Sequence, residues 1–352
     1  MEVTFSNFEK MHPVPTIKDI AKKLNISAST VSRALQDHHS IGLRTKMRVQ
    51  QLAKELHYQP NQTAIFFKQR KTFTIGVILP QLTESFFSSA ISGIEDFAKS
   101  KKYNVLVGQS HDDYQTEKQL VETMKEHRVD GMLICLAKNT ANYDHFASLK
   151  NYNIPLVFFD RVPKKSDIHY VACNLEKGMT AAIHFLIKRG HRDIALINGP
   201  ETIVATKERF EIYKEVLSRK KIKIDHRYIF STDLTKNDTQ KAMDELLLLK
   251  RRPTAIITFN DYVALDAIQY AKRQNIKIND DISFVSFANL PICHYMENPP
   301  LGSVEQFPYE QGIQAADILW TLINENNTTD EINKVPYYKV VVDSEFRLST
   351  EM

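Results

Sequence analysis

Apolar residues recur three and four positions apart in three short blocks near the start of the chain. Ile17, Ile20, Ala21 and Leu24 form the first, Val31, Ala34 and Leu35 the second, and Val49, Leu52, Ala53 and Leu56 the third. That spacing puts each set on one face of an amphipathic helix. Thr16, three residues ahead of Asp19, has the layout of a capping box, and Ser27 follows a break at Asn25-Ile26 where it can cap the second helix. The blocks predict three helices closing a small core over 15–60, with a tight turn between the first two.

From Thr74 the period changes. Short β-rich runs (75–79, 105–107, 132–134, 156–159, 194–197, 255–257, 284–286) alternate with amphipathic stretches near 86–101, 114–127, 176–189, 205–220, 238–249, 262–274 and 309–324. Alternating βα units predict parallel sheets covered on both faces. Two halves fit the length: a first lobe at 73–174 plus 306–333, and a second at 175–305 plus 334–350. The tail from Tyr337 reads as a last strand pair.

With 43% apolar and 25% charged residues, the 352-residue chain can bury large cores, which excludes disordered, collagenous and disulfide-scaffold classes. There is no run of about 18 apolar residues. The opening residues lack the basic start and apolar run of a secretory signal, so the expected location is the cytoplasm, with no membrane partner. Cys135, Cys173 and Cys293 are isolated, without metal-ligand spacing. GxGxxG, the Walker loop, HExxH, GxSxG and EF-hand loops are all absent. No cofactor, metal or catalytic residue is expected.

Charge is uneven. Residues 1–72 hold twelve basic against five acidic side chains, net +7, and the remainder 34 against 37, net −3. A basic head on a near-neutral body is the footprint of a polyanion-binding module, though charge alone fits a solvated face equally well. The helix pattern decides for the former. In a helix-turn-helix the second helix enters the major groove; here its outward positions are Ala28, Ser29, Ser32 and Arg33. Arg33 can bond guanine bidentately, and Ser27, Thr30 and Thr45 lie near helix starts suited to phosphates. Taken singly, each hydroxyl is better explained as a helix cap than as a DNA contact, and Arg33 also fits a solvated surface charge.

Thr16-Ile17-Lys18-Asp19-Ile20-Ala21, then Ser27-Ala28-Ser29-Thr30-Val31-Ser32-Arg33-Ala34-Leu35, then Tyr58-Gln59-Pro60-Asn61 resemble the amino-terminal signature of the lactose/galactose repressor (LacI/GalR) family of bacterial transcription regulators. The resemblance runs from about Pro15 along nearly the whole chain. It implies an α/β protein: an N-terminal three-helix helix-turn-helix head plus a bilobed periplasmic-binding-protein-like body with two parallel sheets. The expected divisions are an extension at 1–14, the DNA-binding domain at 15–60, a hinge helix and linker at 61–72, and an effector-binding and dimerisation domain at 73–350. Asn61 can cap the hinge, and Phe67 stands where the family usually carries Leu, the apolar wedge that opens a central base step in the minor groove. Gly42 replaces the usual hydroxyl cap of the third helix.

The resemblance also implies an effector between the lobes, at strand carboxyl ends. The residues expected there are Phe86, Phe87, Asp160, Arg161, Arg209, Asn260 and Asn289. Phe87 suits core packing at least as well. Ala288 stands where the family often has a sugar-binding Asp, and Ile203 and Ala205 replace polar residues ahead of Arg209. Arg161 and Arg209 against Asp160 then leave one excess positive charge, an expectation that favours an anionic effector.

The expected function is a homodimeric, sequence-specific DNA-binding transcriptional regulator, a repressor, whose affinity for double-stranded operator DNA is controlled by a small effector, a sugar or sugar derivative. The alternatives are a cytoplasmic solute-binding protein and an α/β enzyme sharing the bilobed fold. The basic head argues against both.

Overall fold

The computed structural model describes residues 15–59, 71–325 and 336–349. They fall into two compact units divided between Lys71 and Thr72. The extension 1–14 and most of the expected hinge, with Asn61 and Phe67, lie outside the described residues.

Helices α1 (Ile17–Leu24), α2 (Ala28–Leu35) and α3 (Leu43–Glu55) make the first unit. The backbone N–H and hydroxyl of Thr16 donate to Asp19 Oδ2 at 2.8 and 2.7 Å, closing the capping box. Asn25 ends α1 in the left-handed region, φ 55°, a conformation that Asn tolerates. The buried centre is Ile20, Ala21, Val31, Ala34, Val49 and Ala53, two residues from each helix. Lys46 on α3 reaches back to Asp37 beyond α2, Nζ to Oδ1 at 2.7 Å.

The body begins with β1 (Thr74–Leu79), α4 (Ser85–Ser100), β2 (Asn104–Gln109), α5 (Tyr114–Glu126), β3 (Gly131–Ile134), the single turn α6 (Asp144–Ala147), β4 (Leu156–Phe159) and β5 (His169–Asn174). The second lobe follows as α7 (Leu175–Lys188), β6 (Ile194–Asn198), α8 (Val204–Arg219), β7 (Ile229–Ser231), α9 (Lys236–Leu248), β8 (Ala255–Thr258), α10 (Asp261–Arg273), β9 (Ser283–Phe287) and β10 (Gly302–Glu305). The chain then returns through α11 (Pro308–Glu325), β11 (Lys339–Asp343) and β12 (Glu345–Leu348).

Each lobe is a six-stranded sheet, ordered β11-β5-β4-β3-β1-β2 and β12-β10-β9-β8-β6-β7. The first is parallel throughout; in the second, β12 lies antiparallel on the edge of β10. Period-two alternation sends Ile75, Val77 and Leu79 to one core and Ile78 to the other, so both faces are dry. Helices α4 and α11 cross at contact distance: a Cβ on Gly93 would lie 2.2 Å from the Tyr309 carbonyl oxygen, and one on Gly312 2.1 Å from that of Ala90. Neither glycine can be replaced without parting the helices.

The expected last strand pair is corrected. β11 joins the first lobe and β12 the second, with only Ser344 between them, and they do not pair with each other. Residues 339–343 therefore belong to the first lobe. Ser344 explains the switch: its N–H and hydroxyl both donate to the Asn174 carbonyl at 3.1 and 2.6 Å, and its Oγ accepts from Gly178 N–H at 3.0 Å. The first and third crossings between lobes are thus stitched together beside α7.

Candidate functional site

On the head, Ser27 Oγ accepts from Thr30 N–H at 3.0 Å and lies 2.8 Å from both the Ser29 and Thr30 hydroxyls. Three hydroxyls therefore cluster at the start of α2, with Ser29 and Arg33 exposed and Ala28 half-buried beside them. Thr45 sits in the first turn of α3, its N–H bonded to the Gly42 carbonyl at 3.0 Å. Gly42 caps that helix without a side chain, at an ordinary φ of −62°.

In the body, parallel topology puts strand carboxyl ends on one edge of each sheet, and bonds from Lys138, after β3, to Thr202 and Asp233, after β6 and β7, bring the two edges together. Phe86 and Phe87 open α4, packed edge to face with ring centroids 5.3 Å apart, and both are buried in the first lobe's core. Asp160 closes β4 in the left-handed region, φ 57°. Burial raises its carboxyl above the usual carboxylate range, while Arg161 and Arg209 pull it back. The Cys135 thiol donates to it at 3.5 Å.

Arg209 is the centre of the arrangement. It comes from α8 of the second lobe, is 3% exposed, and lies between the rings of Phe259 and Phe287 with Cζ 4.1 Å from each centroid. Its Nε and Nη1 have no hydrogen-bond partner among the described residues. Burial lowers its pKa to about 10, with Asp160 opposing, so it stays charged at neutral pH. A buried guanidinium with two idle donors is costly unless something accepts from them.

Arg161 turns elsewhere. It donates through Nη1 to Asp112, and its Cζ sits 5.6 Å from the centroid of the Phe87 ring. Burial opposes its charge, but Asp112, Cys135, Asp160 and Glu84 together push its pKa up. Glu84 is itself raised by burial, against Arg161 and Lys138. Arg161 is thereby committed to Asp112, and Glu84, with Lys138 near it, joins the charged groups of the cleft. The expectation missed Glu84, Asp112 and Lys138 because each lies in a loop after a different strand, with no local pattern to mark it.

Asn260 and Asn289 are held by the protein. Asn260 caps α10, its Oδ1 accepting from Val263 N–H at 2.9 Å. Asn289, at φ 49°, donates from Nδ2 to Glu305 at 2.9 Å, and its N–H donates to Ser303 Oγ at 2.9 Å. Next to Asn260, Asp261 is fully buried and accepts from the Ser286 hydroxyl, from that of Ser303 at 2.9 Å and from Leu290 N–H at 2.6 Å. Burial raises its pKa to about 6 despite those bonds. Leu290, tied in this way to the second lobe, packs in the first lobe's core. Among the described residues no cluster fit to hold a metal occurs, and no helix is long and apolar enough to cross a membrane.

Residues 16–61 match the family described as bacterial regulatory proteins, lacI family, and residues 72–341 match periplasmic binding proteins and sugar binding domain of LacI family. The chain belongs to the LacI family. It is 32% identical over 311 residues to the HTH-type transcriptional repressor CytR of Escherichia coli K12, covering 88% of this chain and 90% of that one. It is 30% identical over 312 residues to the HTH-type transcriptional repressor PurR of Vibrio atlanticus, covering 89% and 93%. The lac repressor dimer bound to operator and the anti-inducer ONPF superposes with a TM-score of 0.81 at 22% identity, over 97% of this chain and all of that one, a likeness of fold. This family member is a DNA-binding transcriptional repressor and not an enzyme.

Proposed function

We propose that the protein represses transcription by binding operator DNA as a homodimer, and that a small hydroxyl-rich effector, a sugar or sugar derivative, occupies the cleft and sets operator affinity. The observation that carries the effector reading is Arg209, buried between two aromatic rings with Nε and Nη1 unpartnered. A ligand hydroxyl or ring oxygen accepting there would satisfy donors that the protein leaves idle. Asp160 accepts from ligand hydroxyls, Arg161 and Phe86 line the approach, and Phe87, Asn260 and Asn289 shape the walls. The sugar class rests on the family description of residues 72–341.

On DNA, Arg33 reads guanine, Ala28 allows close approach, and Ser27, Ser29, Thr30 and Thr45 meet phosphates. Asn61 starts the hinge and Phe67 is its minor-groove wedge. A ligand favouring one lobe arrangement shifts operator affinity by its differential affinity for the two. Gel shifts against genomic fragments test DNA binding. A thermal-shift screen of neutral sugars tests the cleft, since a ligand at 100 times its Kd adds ~2.7 kcal/mol. Binding of sugars that survives Arg209→Ala would move the effector elsewhere.

A further inference from the structure

The loop between β3 and α6 is held from both lobes. In the first lobe, Glu117 of α5 is fully buried. Its carboxylate accepts from Ala137 N–H at 2.7 Å, from the Thr140 hydroxyl at 3.0 Å, and from His145, whose Nε2 lies 2.9 Å away. A buried carboxylate needs such donors, and here all three come from 137–145. Lys138 N–H donates to Asp112 Oδ1 at 2.9 Å, the same carboxylate that holds Arg161.

The next atoms of Lys138 face the other lobe. Its Nζ donates to the Asp233 carbonyl, beyond β7, at 3.0 Å. The hydroxyl of Thr202, between β6 and α8, donates to the Lys138 carbonyl. One residue thus uses its N–H within the first lobe and its carbonyl and ammonium across the cleft. A loose loop would lose most of that contact energy to ordering entropy; one pinned beforehand would not.

We propose that residues 137–140 form a strap that spans the cleft margin and holds the lobes together, and that Glu117 is the positioning residue that keeps the strap set. The strap needs no effector to form.

Amide hydrogen exchange on the full chain, without DNA or ligand, tests it. Thr202 is exposed, so Thr202→Val should fold and remove only its hydroxyl. The expected result is exchange about fivefold faster at Ala137 and Lys138, in the opposite lobe, which equals ~1 kcal/mol at 1.4 kcal/mol per tenfold. Lys138→Ala should loosen 233–235 by a similar factor. Glu117→Gln keeps the shape but weakens the anchor, and should speed exchange in 137–145 and in 233–235 together. Wild-type rates at Ala137 and Lys138 in Thr202→Val would overturn the strap. Loosening confined to 137–145 in Glu117→Gln would overturn the anchoring role. If Glu117→Gln fails to fold, the Thr202 and Lys138 variants still decide.

Discussion

Arg161 bonds Asp112, 49 residues earlier in the chain, and not Asp160, its covalent neighbour. Asp160 turns instead toward Cys135 and the field of Arg209. The cleft therefore has no spare cation at Arg161.

Because Arg161 is committed to Asp112, a neutral ligand is the expected outcome. Calorimetric titration with matched neutral and phosphorylated sugars should show no gain from the phosphate. Asp112→Asn, which frees Arg161, should create a preference for the anion that the wild type lacks. Tighter wild-type binding of the phosphorylated sugar would restore the anionic effector.

Arg209→Met trades function for stability. Removing a buried guanidinium with idle donors should raise the unfolding free energy of the ligand-free protein by about 1–2 kcal/mol, read from denaturation midpoints, while abolishing effector response. A destabilised variant would mean that the stacking on Phe259 and Phe287 outweighs the burial of charge.

Arg33→Ala should weaken operator binding by about 1–3 kcal/mol and relax preference at one base pair per half-site, measured by gel shift over a panel of single-base operator variants. Uniform weakening across the panel would make Arg33 a phosphate contact.

Asp261 sets a pH dependence. Its folded pKa is raised to about 6 from 3.8, so between those values the folded chain holds a proton that the unfolded chain has released. Its stabilising contribution is complete below the unfolded value and is lost as pH rises through the folded one, worth ~3 kcal/mol in all. Asp261→Asn should flatten the fall in stability between pH 3.8 and about 6, read from urea midpoints. Glu84 and Asp160, raised in the same direction, leave a residual slope. An unchanged slope in the variant would show that the Ser286, Ser303 and Leu290 donors keep Asp261 ionised.

The sequence by itself determined the helices of the head and the order of βα units, because capping at Thr16 and Ser27 and apolar periodicity are local physics written within a few residues. Strands of three to six residues with half-exposed faces, such as β5 and β7, carry too little periodic signal to be seen that way. Tertiary structure alone decided the partners. Parallel topology gathers strand ends that lie tens of residues apart, which is why Asp112, Lys138 and Arg161 meet, and why Arg209 finds Phe259 and Phe287. The split of the tail between two sheets was likewise settled by Ser344, whose bonds to Asn174 and Gly178 exist only once both lobes have formed.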